Sequence, residues 1–466
     1  MLASQLESLL ATDRPGVDAA LQLVTDLDAG LLTGYGRPNP DRDAALAALT
    51  SAVAATPLAD KVAAATLAIA EGIVTDEQLA VVAAARSALL GAVHDALLSD
   101  VDEATDRARV DVAAGEAVEP DKKVAALRGA ARAWLTELAI TGVAGLDEAF
   151  LGDVNPIVEG LGGHPAGRRL AVLLDGLSAE LRSCTPIALM AEPPMRRWAD
   201  LWSRAQLLSR PGHVDEVPDD RISGRLLVLG TELFEHSTLF GVVVHGVVET
   251  GKEGVPRLVR ATVTAPKVDV ITGPAMWNLI TDRPNLMTAL AEDRCLELTD
   301  MPITPTGELV WSDEDAKPGE VVDPLATARL HLVQAVATRT HPLDRHPVAI
   351  AEPVFVEQYK VIKGEEPKFN LGGATLDIDV SRLSPAAPLT VKNVAASTAC
   401  IGVLRWDAGS WTLSPLAVQA PVKRVPTLIH NGQWAAGPTD PKVAKAVERN
   451  DSVRVLRERA GRLLRK

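Results

Sequence analysis

The sequence predicts a multidomain protein of α and α+β class, in which an all-helical N-terminal half precedes a β-rich half. Two observations favour this division. Apolar residues recur at intervals of three and four over residues 1–210. After that point, short segments rich in β-branched residues follow one another at spacings of about 10–15 residues. We therefore expect a helical array, either solenoid-like or an irregular bundle, joined to a sandwich-like or barrel-like half with inserted helices and a C-terminal helix.

Shifts in composition place the expected domain boundaries. The chain has 466 residues, which is too long for one ordinary core and suggests about three domains. We assign an all-helical domain to residues 1–210, a linker to 211–224, a β-meander domain with a helical segment to 225–322, a mostly β domain with a leading helix to 323–438 and a basic amphipathic helix to 439–466.

The composition favours some compartments and partners over others. The net charge of −14 makes nucleic acid an unlikely main partner, because duplex binders usually present a basic face. Cys184, Cys295 and Cys400 lie too far apart for metal-ligand spacing, and their odd number suits a reducing compartment. The N-terminal sequence MLASQLESLLATDRPG lacks the pattern of a signal peptide. We therefore expect a cytoplasmic protein, and the many arginines and alanines suggest a bacterium with a GC-rich genome.

The segment VTDEQLAVVAAARSALLGAVHDALLSD carries the clearest helical pattern. Thr75 and Gln78 have the spacing of a capping box, and an apolar stripe that only Arg86 interrupts follows them. No fixed period of about 30–45 residues repeats along the helical half, so the pattern indicates no named helical repeat family. An array of this kind favours a scaffold with docking surfaces.

The β-rich half begins with a predicted meander. The segments GRLLVLG, FGVVVHGVVE, RLVRATVTA and KVDVIT are expected strands, and the loop TGKEGVP suits a hairpin between the second and the third. PAMWNLITDRPNLMTALAEDR is expected to be helical and TGELVWS a strand. DPLATARLHLVQAVATRT predicts a helix with Asp323 as its cap and Pro324 in its first turn. The later expected strands are HPVAIAEPVFVEQYKVI, ATLDIDV, LTVKNVAA, CIGVLRWD, SWTLSPLAVQA and VPTLIHNGQW.

The stretch LFEHSTLFGVVVHGVVE contains two histidines that invite a metal site. Alternation along an extended strand places His245 on one face with Val243 and Val247, and Phe240 on the other. His236 precedes that strand, and the two histidines would lie about 30 Å apart if both segments were extended. A shared metal needs both ligands within about 2 Å of the ion. We therefore predict a buried strand rather than a metal centre.

Several other groups are chemically competent but fit structural roles. HPLDRHP places His341, Asp344 and His346 within six residues, and we read it as a helix exit leading into a strand. GLGGHPAGRR has no preceding strand and fails the spacing of a dinucleotide fingerprint. Cys184 lies near a helix C-terminus, where the dipole does not favour a thiolate. Asp377 and Asp379 share a strand face, where cation binding and protection of a sheet edge explain them equally well.

The C-terminal segment carries the largest charge asymmetry. Its arginines accompany an apolar stripe at helical spacing, and such helices dock on acidic partners, nucleic acid or membranes. The predicted partner-binding residues are Arg454, Arg457, Arg462 and Arg465.

These observations favour a non-enzymatic scaffold or adaptor that binds other proteins through its helical array. The first alternative is a hydrolase-type enzyme with a site between the two halves, and the second is association with nucleic acid or a membrane surface through the basic C-terminal helix. For the hydrolase, the groups to test are His245, His341, Asp344, His346 and Cys184. The sequence assigns no catalytic residue, cofactor or metal ligand, and it leaves the oligomeric state open.

Overall fold

The first half of the chain is helical, as predicted. The structure is a computed structural model, and it describes residues 3–111, 121–211, 220–251, 254–407 and 409–449. The helices of the first half are α1 (Ala3–Ala11), α2 (Val17–Thr33), α3 (Pro40–Ala52), α4 (Ala59–Ala70), α5 (Asp76–Thr105), α6 (Lys122–Thr141), α7 (Glu148–Gly152), α8 (Asn155–Gly162), α9 (Arg168–Ser183) and α10 (Met195–Leu208). A two-residue strand, β1 (Arg109–Val110), follows α5.

An apolar stripe explains why α5 forms, and the capping box predicted at Thr75 and Gln78 is not made. The helix begins at Asp76, directly after Thr75, as predicted. The Thr75 hydroxyl contacts the Gln78 side chain, and it makes no cap hydrogen bond to the backbone. Arg86, which interrupts the stripe, is buried because its guanidinium donates two hydrogen bonds, of 2.6 and 3.0 Å, to the Asp28 carboxylate of α2. A buried charge needs such a partner, so the interruption marks a helix–helix contact.

The helical half shares part of its core with the second half. Helices α2–α10 enclose one hydrophobic cluster that includes Trp134, Trp198 and Trp202. Leu6 of α1 and Leu97 of α5 belong instead to a cluster with Trp411 of the C-terminal sheet. The end of the helical array that carries α1 is therefore packed on the β-rich half.

The second half contains two sheets with short helices between their strands, which confirms the predicted α+β arrangement. The strands are β2 (Asp220–His236), β3 (Leu239–Glu249), β4 (Arg257–Pro266), β5 (Arg294–Ile303), β6 (Glu308–Leu309), β7 (Ala316–Val321), β8 (Ala337–Thr338), β9 (Ala351–Glu357), β10 (Lys360–Ile362), β11 (Lys368–Asn370), β12 (Thr375–Ile378), β13 (Ala399–Asp407), β14 (Ser410–Val422) and β15 (Val425–His430). The helices are α11 (Pro284–Ala291), α12 (Pro324–Leu330), α13 (Val391–Ala395) and α14 (Pro441–Arg449).

The first sheet closes on itself. Its strands follow the order β2-β3-β4-β6-β5-β7, and β2 also pairs with β5. The residues of β3 alternate as the sequence predicts: Phe240, Val242 and Val244 point into the core of this sheet. Phe240 meets Trp277 edge-on, with ring centroids 6.0 Å apart. The helical segment around α11 fills the same core.

The second sheet packs against the outer face of the first. Its order is β10-β11-β12-β14-β13-β9, and β15 pairs with β14. Leu229 and Val247, which point away from the core of the first sheet, share a cluster with Ile401 and Leu416 of the second. Gly230 allows this close approach, because a Cβ at that position would lie only 2.7 Å from the Cβ of Leu416. The face of β3 that carries His245 is therefore covered by the second sheet.

Three predicted elements differ in the structure. The helix expected over DPLATARLHLVQAVATRT ends at Leu330: residues 331–334 form turns, and residues 337–338 then align in parallel with β1. KVDVIT forms a turn and not a strand. LTVKNVAA forms α13, since Thr390 and Asn393 make a capping box. In the second and third cases local hydrogen bonding outweighs β propensity.

Two boundary regions lie partly outside the described residues. Strand β2 begins at Asp220, inside the range 211–224 assigned to the linker, and residues 212–219 lie outside the described residues. Helix α14 begins within the range 439–466 assigned to the C-terminal helix, and residues 450–466 lie outside the described residues.

Candidate functional site

A cleft of about 200 Å³ lies where the helical half meets both sheets. Strand β1 forms one wall, β3 and β4 of the first sheet form another, and the start of β9 in the second sheet closes it. The polar residues of its lining are Arg109, His245, Arg260, Thr306, Thr338, Thr340, His341, Asp344 and Glu352. Its volume is below the roughly 300–1,000 Å³ of pockets for drug-sized molecules, so it suits a small ligand.

His245 is held in the wall of this cleft by a buried carboxylate. Its Nε2 atom lies 3.0 Å from the Oε2 atom of Glu232 on β2. Glu232 pairs in register with Val243, so the two side chains are diagonal neighbours on the same face of the hairpin. Because an ionised carboxylate only accepts hydrogen bonds, Nε2 carries the proton of this contact, and in the neutral ring Nδ1 is the atom that has a lone pair. Within the described residues, no hydrogen bond engages that Nδ1 atom.

Arg405 completes the arrangement from the other sheet. Its Nη2 atom donates to both carboxylate oxygens of Glu232, at 2.7 and 2.9 Å. The side chains of His245, Glu232 and Arg405 are 5%, 14% and 18% exposed, so this chain of contacts is largely withdrawn from water. Burial acts to raise the pKa of Glu232, but the hydrogen bond and charge of His245 and the guanidinium of Arg405 outweigh it and lower the pKa to about 2.

A second buried carboxylate, Glu352 on β9, forms the opposite wall. Its Oε2 atom lies 2.7 Å from Nη1 of Arg107 and 2.8 Å from Nη2 of Arg109. Arg109 also pairs with Asp102 of α5, at 2.6 Å, which anchors the wall to the helical half. Burial alone would raise the pKa of Glu352, and the two guanidinium groups instead lower it to about 2. Both buried acids at the cleft are therefore ionised at neutral pH.

The HPLDRHP segment attaches the cleft to the helical array. Asp344 accepts hydrogen bonds of 2.7 and 2.9 Å from Nη2 of Arg169 on α9. Arg345 contacts Asp95 of α5 at 3.2 Å. His341 accepts a hydrogen bond from the backbone N–H of Leu343 at 3.2 Å, which fixes its Nδ1 as an acceptor. These contacts place His341 and Asp344 in the cleft lining and hold the segment on two helices.

The structure brings together three of the five groups that the sequence singled out for a hydrolase. His245, His341 and Asp344 line the same cleft. His346 lies outside the lining, and burial lowers its pKa. Cys184 caps the C-terminus of α9 and packs against the core of the helical half.

The remaining motifs take structural roles. His236 ends β2, where it pairs with Leu239 at a tight turn, so the chain folds back between the two histidines. GLGGHPAGRR connects α8 to α9 and supplies Arg169. Asp377 pairs with Lys368 at 2.8 Å, and Asp379 caps a short helical turn. Among the residues that the structure describes, no group of three or more histidine, cysteine or acidic side chains could hold a metal ion.

Sequence analysis missed the residues that organise the cleft, namely Glu232, Arg405, Arg109 and Glu352. A usable signal was present for two of them. Glu232 lies in the apolar strand LLVLGTELF, and Arg405 lies in CIGVLRWD. A single charge in an otherwise buried strand indicates a buried partner. The partner of each charged residue depends on how the two sheets pack, and the sequence of a single strand does not predict that packing.

The predicted partner-binding residues Arg454, Arg457, Arg462 and Arg465 lie outside the described residues. Their role therefore stays a prediction, as do the adaptor function, the bacterial source and the cytoplasmic location. By length and composition, α5 is the one described helix that could cross a membrane. Half of its apolar window is buried inside the fold.

Comparison with protein-family models, with curated proteins and with solved structures gives no match for this chain.

Proposed function

We propose that the protein is a hydrolase-type enzyme that acts on a small molecule bound in the cleft, with His245 as the general base. The observation that carries this proposal is the hydrogen bond between Glu232 and His245 at the wall of the cleft. A general base oriented by a second group is the arrangement that activates a nucleophile in many enzymes. Here Glu232 is the positioning residue, because it fixes which ring nitrogen can accept a proton.

Water is the nucleophile that this arrangement suits. The Nδ1 atom of His245 would take a proton from water as the water oxygen attacks an electrophilic carbon or phosphorus. The imidazolium would then return that proton to the leaving oxygen, so the base is regenerated and the products are an acid and an alcohol. Glu232 stabilises the imidazolium in between, as a carboxylate next to a charged histidine does.

The other polar groups of the cleft support such a reaction. Negative charge develops on the substrate as water attacks. Arg109 and Arg260 line the same cavity, and each also pairs with a carboxylate, Glu352 and Glu308 respectively. Thr306, Thr338 and Thr340 add hydroxyl groups that could orient a polar substrate. Glu352 and Asp344 are each bound by arginine, so they add little uncompensated negative charge.

Two histidines of one hairpin give a matched test. His245→Gln removes the base from the cleft, whereas His236→Gln changes an exposed residue at the turn of the same hairpin. The purified full-length chain would be assayed against 4-nitrophenyl acetate, 4-nitrophenyl phosphate and bis(4-nitrophenyl) phosphate. We expect hydrolysis of at least one probe, a loss of about 10²–10⁴-fold in kcat/KM for His245→Gln, and an unchanged value for His236→Gln.

Two results would contradict the proposal. One is an absence of hydrolysis above the background rate for all three probes. The other is a folded His245→Gln variant that keeps the activity of the unsubstituted chain. Circular dichroism and the melting temperature of each variant establish that it is folded.

A further inference from the structure

Arg405 links the second sheet to the proposed base, because it binds the Glu232 carboxylate that hydrogen-bonds His245. Glu232 and His245 both belong to the first sheet, on β2 and β3. Arg405 belongs to β13 of the second sheet, where it pairs in register with Ala351 and Thr412. Its guanidinium spans the interface and binds both oxygens of the Glu232 carboxylate.

The contact with both oxygens holds the Glu232 carboxylate at the interface of the two sheets. A glutamate side chain held only by one hydrogen bond to imidazole could leave that contact by changing its rotamer. Contacts of 2.7 and 2.9 Å from one guanidinium nitrogen to the two oxygens hold the carboxylate against β13, while Oε2 lies within hydrogen-bond distance of His245. The orientation of the imidazole is thereby tied to the position of the second sheet.

The other charges around His245 do not provide this constraint. Arg260 on β4 is the cross-strand neighbour of His245, but it pairs with Glu308, at 3.2 Å. Arg109 and Glu352, which also line the cleft, bind one another. Among the described residues, Arg405 is the cation that hydrogen-bonds Glu232.

We propose that Arg405 is a positioning residue that assembles the Glu232–His245 pair across the interface of the two sheets, so that the base is held in one tautomer only when the sheets are packed together. This inference rests on the proposed function. It adds that the competence of the site depends on contact between two separate sheets.

The test uses ¹⁵N chemical shifts of the His245 ring in the full-length chain, assigned by comparison with His245→Gln. In the unsubstituted chain, at a pH high enough for the ring to be neutral, we expect the ¹⁵N shifts of a single Nε2–H tautomer. Arg405→Gln should give a mixture of tautomers, because the carboxylate is no longer fixed. Arg405→Lys keeps one charged donor and should restore the Nε2–H tautomer in part.

Arg382→Gln is the matched control. Arg382 lies beside the second sheet and pairs with Asp379 at 3.0 Å, away from the cleft. The Arg382→Gln substitution should leave the ¹⁵N shifts of the His245 ring unchanged. A folded Arg405→Gln variant with the single tautomer of the unsubstituted chain would overturn the inference. The shifts need no substrate, so this result is independent of the assays that test hydrolysis.

Discussion

The Oε2 atom of Glu232 lies 3.0 Å from the Nε2 atom of His245, although the two residues are thirteen positions apart in the sequence. The tight turn after His236 brings the two strands side by side in the register that makes this contact. The hairpin therefore places an acid beside a histidine, and the sheet packed over it supplies the cation that completes the network.

The two buried carboxylates should make the fold sensitive to acid. Folding lowers the pKa of Glu232 and of Glu352 to about 2, against 4.5 for an ordinary glutamate. A lowered pKa contributes stability that is complete above about pH 5 and is lost as the pH falls towards 2. Each residue should contribute on the order of 3 kcal/mol to the free energy of unfolding over this range.

Urea unfolding at pH 7, 5, 4 and 3 measures this contribution. Glu232→Gln and Glu352→Gln should each be less stable at pH 7, since they leave buried arginines unpaired, and should each lose less stability on acidification. Glu308→Gln is the control, because Glu308 is 31% exposed and pairs with a half-exposed arginine. An identical slope for all four chains between pH 5 and 3 would show that these carboxylates do not govern acid stability.

Gly230→Ala should weaken the contact between the sheets. The added Cβ would lie 2.7 Å from the Cβ of Leu416, so one backbone must shift. We expect a loss of about 1–3 kcal/mol in the free energy of unfolding. Gly176→Ala makes the same chemical change at an open position of α9 and should stabilise by about 0.5–1 kcal/mol. Equal effects of the two substitutions in urea unfolding would argue against the close approach.

Arg169→Gln should loosen the HPLDRHP segment without unfolding the protein. Arg169 and Asp344 are 30% and 40% exposed, so their ion pair should contribute less than about 1 kcal/mol to global stability. Local opening should nevertheless become easier, and hydrogen exchange at Leu343 and Asp344 should accelerate. Arg168→Gln, at the exposed neighbouring position, should leave exchange unchanged. Unaltered exchange in Arg169→Gln would mean that other contacts hold the segment.

The three thiols should differ in reactivity. Cys184 is partly exposed, whereas Cys295 and Cys400 are buried. Burial raises the pKa of Cys295 and of Cys400, which lowers the fraction of reactive thiolate. A disulfide reagent such as 5,5′-dithiobis(2-nitrobenzoic acid) should therefore modify one thiol per folded chain, and Cys184→Ser should abolish this fast phase. Fast modification of two or three thiols would contradict the buried positions.

The sequence by itself determined the order of the architecture. Helical periodicity in the first half, alternation along β3 and the turn residues between β3 and β4 all predict local structure correctly, because each depends on neighbours within a few residues. The prediction of a strand at LTVKNVAA is wrong, because Thr390 and Asn393 cap a helix there despite the β-branched residues.

Only the tertiary structure decided how the candidate site is built. Alternation along β3 placed His245 on one face, but it did not reveal that the second sheet covers that face. Glu232, His245 and Arg405 come from three strands, and Glu352 and Arg109 meet from opposite halves of the chain. Such pairs form because a buried charge must find an opposite charge, and which one it finds depends on long-range packing that no local pattern encodes.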